Sequence, residues 1–288
     1  MKKILITGTN SYIGKSFEQW VSRWPDKYKV ASISLRGYDW KKKSLSEYDV
    51  IFHVAGIAHV DAKAKMENLY YKVNRDLAID IAKKAKEDGV KQFIFMSSII
   101  VYGNSGRIGQ KKVITLDTAP NSANFYGNSK LEAEKGIRSL EDKDFKVVVI
   151  RSPMVYGKDC KGNYAKLEKI VKWIHIFPDI DNERSMLHID NLCEFVKVLI
   201  DNEESGLFFL QNKEYVKTTD MIRLIAEKQG KKIILTKVFN PILKLMSRKV
   251  SFLNKVFGNI VYDQSMSNYD KANYRIRDLK NSIIATED

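Results

Sequence analysis

The alternation of apolar strands and helices in the first half of the chain is the feature that most restricts its fold. Helices are predicted over residues 66–88 and 131–140, and the predicted strands are residues 3–7, 29–34, 50–54, 92–96 and 145–150, with a further strand later in the chain at 207–210. Most are apolar along nearly their whole length rather than at every second position, which is typical of parallel strands covered by helices on both faces. The pattern therefore predicts an α/β fold with a doubly wound parallel sheet, followed by a smaller, mostly helical part.

Composition excludes several other classes of protein. With 44% apolar residues in 288, the chain can fill a substantial core. Its two cysteines, Cys160 and Cys193, are too few for a disulfide scaffold, and the four histidines have no metal-ligand spacing with them, so no metal site is expected. No apolar stretch approaches the ~20 residues of a membrane span. We expect a soluble cytoplasmic protein without stable membrane insertion.

The net charge of +14 favours an anionic partner. The sequence has neither a Cys/His zinc pattern nor an aromatic RNA-binding strand, so we expect a phosphorylated small molecule and no nucleic acid. RNA binding is kept only as a minor alternative.

A turn of small residues, TGTNSYIG over residues 7–14, lies between the first strand and the first helix. Small residues there let the backbone approach a pyrophosphate, and the helix N-terminus supplies N–H donors. The alternative is an ordinary strand-to-helix turn.

Arg36 follows the second predicted strand, with no acidic residue between that strand and Asp39. An acid would hold the ribose hydroxyl of NAD, whereas an Arg accommodates the 2′-phosphate of NADP. NADP is therefore favoured, with NAD as the alternative and a surface role as the competing interpretation of Arg36.

Three residues form a candidate catalytic set. Tyr126 and Lys130 are four apart, which places them on one face of a helix. A Lys cation beside a phenol favours phenolate, so we expect Lys130 to lower the pKa of Tyr126. Ser98 ends an internal strand and can donate to a substrate oxygen, although capping of the strand end would explain a serine there equally well.

These pieces together resemble the extended short-chain dehydrogenase/reductases that act on nucleotide sugars, the NAD-dependent epimerase/dehydratase family. The resemblance covers residues 1 to about 210, while the last 75 or so are not diagnostic. The matching segments are residues 7–14, 49–56, 73–74, 97–103, 126–130, 151–157 and 184–190.

The resemblance implies a role for each matching residue. The cofactor would be bound by Gly8, Ser11, Tyr12, Ile13, Gly14, Arg36, Ala55, Gly56, Asn74, Tyr126, Lys130 and Pro153. The catalytic residues would be Ser98, Tyr126 and Lys130. The UDP-sugar substrate would be bound by Ser98, Asn163 and Arg184. Ser11 departs from the family's usual Gly.

The resemblance also implies two domains and a homodimer. A dinucleotide-binding Rossmann domain would comprise residues 1–157 and 188–211, and a nucleotide-sugar domain residues 158–187 and 212–288. The segment 239–257 is amphipathic and basic, and we favour a wall of the substrate domain over a peripheral membrane contact for it.

The reaction is narrowed by the two residues after Ser98. Dehydratases and decarboxylases of the family carry an acid there, whereas this chain has Ile99 and Ile100. Two reactions remain: reduction of a UDP-4-keto-6-deoxy-N-acetylhexosamine for surface polysaccharide synthesis, and UDP-hexose 4-epimerisation with tightly bound NAD. Because Arg36 favours NADP, the reductase is placed first. A non-catalytic NADP-binding regulator is a further alternative, disfavoured because Tyr126 and Lys130 are both present.

Overall fold

The structure, a computed structural model, describes residues 1–58, 64–122 and 124–288. Within these ranges no helix is long and apolar enough to cross a membrane. The strands are β1 (Lys2–Thr7), β2 (Tyr28–Ile33), β3 (Val50–His53), β4 (Gln92–Ser98), β5 (Val113–Ile114), β6 (Lys146–Ser152), β7 (Met154–Tyr156), β8 (Ile176–Pro178), β9 (Met186–His188), β10 (Gly206–Phe209), β11 (Ile234–Thr236) and β12 (Val261–Tyr262). The helices are α1 (Tyr12–Val21), α2 (Glu67–Tyr70), α3 (Leu77–Glu87), α4 (Phe125–Arg138), α5 (Asn163–Val171), α6 (Ile189–Asp201), α7 (Thr218–Lys228), α8 (Asn240–Met246), α9 (Ser251–Phe257) and α10 (Leu279–Glu287).

The chain divides into two compact units. The first comprises residues 1–103, 119–152 and 192–210, and the second comprises residues 104–118, 153–191 and 211–288. Residues 104–118, 153–157, 188–191 and 211, which the sequence assigned to the dinucleotide-binding domain, therefore belong with the second unit. The reason is strand pairing over long sequence distances: β5 pairs with β12, and β7 pairs with β9. Strands of two or three residues leave no such signal in a sequence.

The first unit is built on a six-stranded sheet in the order β10-β6-β4-β3-β1-β2, with every pair parallel. The predicted doubly wound parallel sheet is confirmed. Its central strands are buried along their length, as in β3 and β6, where neither face is open to solvent. The strand order reverses between β1 and β3, and the carboxyl ends of strands at such a reversal form the usual ligand crevice of this architecture.

Two predicted helices of the first unit have different bounds. The helix expected over residues 131–140 begins earlier, at Phe125, because the Asn124 side chain caps it by accepting a hydrogen bond from the Gly127 N–H at 3.0 Å. The helix expected over residues 66–88 is interrupted by a π-helical segment, Tyr71–Asp76. Such wide turns are frequent at functional sites.

The second unit holds short strand pairs and helices. The last 75 residues were expected to be helical, but they also contain β11, which pairs with β8, and β12. Aromatic packing marks its core: the rings of Tyr156 and Tyr164 stack with centroids 5.4 Å apart, and both are buried.

Candidate active site

The turn after β1 has the close packing that a dinucleotide-binding turn requires. Gly8 has a φ of +100°, which favours glycine, and a Cβ there would lie 3.3 Å from the Ala55 Cα. A Cβ at Gly14 would lie 2.8 Å from Ile6 Cγ2, so only glycine lets α1 approach the sheet this closely. Ser11, which replaces the family's usual glycine, caps α1 by accepting from the Gly14 N–H at 3.3 Å. The N-terminus of α1 therefore begins directly after the switch-point strand.

The other residues predicted to bind the dinucleotide each follow a strand of the six-stranded sheet along the chain. Tyr12 and Ile13 form the first turn of α1 and are partly exposed. Arg36 is exposed and follows β2 by three residues. Its exposure suits both a phosphate contact and a surface role. Pro153 is buried and belongs to the second unit, directly after β6.

Asn74 is fully buried, and its side chain holds the loop that follows β3. Its Oδ1 accepts from the Ile57 N–H at 2.8 Å, and its Nδ2 donates to the Ile57 carbonyl at 3.1 Å and to Ser129 Oγ at 3.3 Å. A Cβ on the adjacent Gly56 would lie 3.1 Å from the same Oδ1. With both ends of its amide engaged, Asn74 of the π-helical segment joins that loop to α4.

Ser98 and Tyr126 are brought together at the end of β4. Ser98 Oγ accepts from the Ile100 N–H at 3.3 Å, so it does cap the following turn. Burial raises the pKa of Tyr126 to about 12, and the neighbouring Ser98 side chain opposes that rise. The Tyr126 ring packs edge-on against Tyr70, with centroids 5.7 Å apart. The serine is thus both a cap and a partner of the phenol.

Lys130 lies one helical turn beyond Tyr126 and is buried, with 6% of its surface exposed. Its Nζ donates to the Met96 carbonyl at 2.9 Å and lies 4.6 Å from the Phe95 ring centroid. Burial lowers the pKa of Lys130 to about 8, while the Glu134 carboxylate opposes that shift. The expectation that Lys130 lowers the pKa of Tyr126 is wrong for this structure. Its ammonium bonds the β4 backbone, and burial of the phenol dominates.

A buried ion pair behind these residues was missed by the sequence reasoning. Glu134 is 2% exposed and receives Arg151 Nη2 at 2.6 Å and Arg151 Nε at 3.1 Å, and it also accepts from Ser97 Oγ. Arg151 Nη1 donates to the Tyr102 hydroxyl at 2.6 Å. A signal was available: an Arg in an otherwise apolar strand needs a buried counter-charge. Tyr126, Lys130 and Glu134 also repeat every four residues on α4.

The second unit contains a small pocket. Asn163 and Arg184, which were predicted separately, both line it. The pocket lining comprises Met154, Asn163, Lys166, Leu167, Ile170, Arg184, Met186, Thr218, Met221 and Val256. Burial lowers the pKa of Arg184 to about 10, so the guanidinium stays charged at neutral pH, and its Nη1 lies 3.5 Å from the Val256 carbonyl. Lys166 adds a second cation that the sequence reasoning did not identify. A mostly apolar lining with two cations suits a ligand with a flat ring and an anionic group.

Residues 4–209 match the NAD dependent epimerase/dehydratase family. The chain belongs to this family. The expected membership is confirmed, and the match ends where the recognisable motifs end.

Two curated relatives indicate the neighbourhood within that family. The chain is 37% identical over 190 residues to a UDP-glucose 4-epimerase of Vibrio cholerae, which covers 63% of this chain and 57% of that protein. It is 25% identical to an Escherichia coli O157:H7 N-acetyl-α-D-glucosaminyl-diphospho-ditrans,octacis-undecaprenol 4-epimerase, covering 75% of this chain and 65% of that protein. The chain thus spans about three fifths of the length of these relatives.

Solved structures share the fold. The UDP-N-acetylglucosamine 4-epimerase of Bacillus cereus superposes with a TM-score of 0.75 at 14% identity, covering 100% of this chain and 98% of that one. A dTDP-4-dehydrorhamnose reductase of Clostridium acetobutylicum superposes with a TM-score of 0.66 at 21% identity, covering 81% and 82%. Epimerases and reductases alike are built on this architecture.

Proposed function

We propose that the chain is a nicotinamide-dependent enzyme that acts at C4 of a UDP-sugar, and that its reaction is 4-epimerisation. The observation that carries the proposal is the set at the end of β4. The Ser98 side chain lies beside the Tyr126 phenol and opposes the rise in its pKa, and the buried Lys130, with a pKa of about 8, lies one turn further along α4. Titratable groups shifted by burial in this way are typical of catalytic sites.

The residues around the β1–α1 turn fit a dinucleotide. Gly8 and Gly14 leave no room for a Cβ, and the capped N-terminus of α1 supplies N–H donors and positive dipole for a pyrophosphate. Gly8, Ser11, Tyr12, Ile13 and Gly14 would hold that part, and Ala55 and Gly56 would contact the riboses. When bound, the nicotinamide supplies or accepts hydride at the sugar carbon.

Side chains of the protein would transfer the proton and bind the substrate. Tyr126 transfers the proton at the C4 oxygen, and Ser98 holds that oxygen by a hydrogen bond. Lys130 provides a positive charge on the same helix face, one turn away. In the second unit, Arg184 and Lys166 would bind the diphosphate, since Arg presents a planar fork of donors to phosphate oxygens. Asn163 and the apolar lining would receive the uracil ring.

Epimerisation now stands ahead of reduction, which reverses the order drawn from the sequence alone. Its support is the likeness to two 4-epimerases, of UDP-glucose and of a polyprenyl-linked sugar. Reduction of a 4-keto sugar is the second candidate. It is favoured by the exposed Arg36 without an acid at the end of β2, and by Tyr126, whose raised pKa keeps it protonated as a proton donor. A homodimer and a cytoplasmic location stay predictions.

One experiment separates the two reactions. Purified protein is denatured and the released nicotinamide is quantified, while native protein receives UDP-glucose or UDP-N-acetylglucosamine without added cofactor. Epimerisation predicts retained NAD and formation of the corresponding galacto sugar. Reduction predicts little retained cofactor, no such product, and NADPH oxidation with UDP-4-keto-6-deoxy-N-acetylglucosamine. Silence in both assays would contradict an enzymatic role and favour the non-catalytic regulator.

A further inference from the structure

The second unit exposes large apolar side chains on one continuous stretch of structure. We call this region, together with the cations described below, the basic apolar surface. Its apolar side chains are Trp173, Ile176, Ile234, Val238, Ile242 and Leu245. Trp173 is 85% exposed and Leu245 is 65% exposed. All seven residues of α8 are at least partly exposed, so this helix buries no apolar face of its own. Exposed apolar side chains grouped in one region mark an interaction surface.

Backbone pairing joins these side chains. Ile176 of β8 is paired with Ile234 of β11, and both are exposed. The next residue of β8, Phe177, is buried and packs against Phe257 with ring centroids 5.6 Å apart. Beyond the strands, Asn240 Nδ2 donates to the Asp179 carbonyl at 2.8 Å, which ties the start of α8 to the end of β8. The end of α5, the two strands and α8 therefore form one region.

Positive charge surrounds the apolar side chains. Residues 231–260 contain seven Lys or Arg and no Asp or Glu. The exposed cations of the segment are Lys232, Lys237, Lys244, Arg248 and Lys249. Two acids that border the region are already paired, Glu168 with Lys172 at 2.9 Å and Asp181 with Lys217 at 2.7 Å.

Exposed apolar side chains together with cations favour one of three candidate partners: nucleic acid, a second copy of the chain, or an anionic membrane. Nucleic acid would use the cations but leave the aliphatic side chains in water. A second copy meeting the same surface would bring cations against cations. An anionic bilayer satisfies both features, because aliphatic and Trp side chains enter the headgroup boundary while Lys and Arg side chains reach anionic headgroups. We propose that this surface docks the second unit on an anionic phospholipid membrane.

The helix α9 behaves differently from α8. Its Val256 lines the pocket that holds Arg184, and Phe257 is buried. The expectation that the segment 239–257 is a wall of the substrate domain therefore fits α9 but not α8. Helices α8 and α9 lie in the same short segment, and α9 lines the pocket. Docking through α8 would therefore hold the pocket close to the membrane. The membrane proposal stands on the surface alone and does not depend on the proposed reaction.

The test uses the whole chain and sucrose-loaded vesicles of either phosphatidylcholine or an equal mixture with phosphatidylglycerol. We expect sedimentation with the anionic vesicles only, weakened at high salt. The double variant Ile242→Asp/Leu245→Asp should lose at least about tenfold in partitioning, since it removes apolar contacts and adds negative charge. The matched control is Leu116→Asp, at a leucine that is 75% exposed and outside the segment; it should stay within about twofold.

Fluorescence gives a second readout. Trp173 is far more exposed than the buried Trp40 or the partly exposed Trp20 and Trp24. Its emission should shift to the blue with anionic vesicles, and Trp173→Phe should abolish that shift.

Several results would overturn the proposal. The first is no binding to anionic vesicles at low salt. The second is equal vesicle binding by the wild type and by a double variant whose thermal unfolding is unchanged. The third is self-association of the wild type that the double variant abolishes, with no vesicle binding by either protein. Binding to a duplex oligonucleotide but to neither vesicle would assign the surface to nucleic acid instead.

Discussion

Helices α4 and α8 depart from ordinary helix burial in opposite directions. In α4 the buried residues include Ser129, Lys130 and Glu134, whereas in α8 the apolar Ile242 and Leu245 are exposed. A buried polar group and an exposed apolar patch are the informative exceptions in a folded protein. Each needs a partner. For α4 the partners are side chains and backbone carbonyls of the same unit, and for α8 we propose a membrane. The sequence of a helix shows which side chains are polar and which are apolar. Only the elements packed around the helix determine whether each is buried, and which group it contacts.

The largest effect is expected when the Tyr126 hydroxyl on α4 is removed. Tyr126→Phe should lower turnover by about 10³-fold, since it removes the group that transfers the proton. Circular dichroism and thermal unfolding should match wild type. Tyr71→Phe, on the nearby π-helical segment, serves as the control and should retain turnover within a few fold. Near-wild-type activity of Tyr126→Phe would end the catalytic assignment.

The next effect concerns the buried ion pair. Glu134→Gln leaves the Arg151 guanidinium without its counter-charge and should lower the free energy of unfolding by about 3 kcal/mol, measured by denaturant titration. The control is Glu132→Gln on the same helix. Its carboxylate pairs with Arg75 at a site 43% exposed, so the expected change is at most about 1 kcal/mol. Equal effects at the two positions would mean that the buried pair is no more important than a surface pair.

The pH dependence of stability should report Lys130. Its pKa is about 8 in the folded chain, against an ordinary value of 10.5. Between these values the unfolded chain holds a proton that the folded chain has released, so this group adds stability as pH rises. From pH 7.5 to 9.5 the gain should be about 2 kcal/mol. Denaturant titrations of wild type and Lys130→Met at both pH values isolate it, because the variant lacks the titrating group. The same pH dependence in both proteins would refute the lowered pKa.

The smallest effect is expected on α8. Ile242→Ser should change the free energy of unfolding by less than about 0.5 kcal/mol, since the side chain is already 60% exposed. The same change at Ile137 of α4, which is 0% exposed, should cost more than about 3 kcal/mol. A large loss at Ile242 would show that its side chain stabilises the fold and would weaken the case for a docking role.

Much of the first unit was predictable because its signals are local. Continuous apolar runs identified the parallel strands, and the small residues of 7–14 identified the turn at the switch point. The spacing of Tyr126 and Lys130 also put them on one helix face, although the helix was expected to start later. Asn163 and Arg184 were each predicted, and the structure brings both to one pocket.

What the sequence left undecided depends on contacts between distant segments. The direction of the pKa shift of Tyr126 follows from burial, and the site of the Lys130 ammonium follows from a β4 carbonyl. The unit boundaries follow from strand pairs of two or three residues. Most clearly, the segment 239–257 was expected to be an amphipathic wall of the substrate domain, and the structure forms two short helices there, α8 and α9. An amphipathic pattern specifies that one face is apolar, but only the tertiary structure decides whether the rest of the chain covers that face, and it covers part of α9 but leaves α8 exposed.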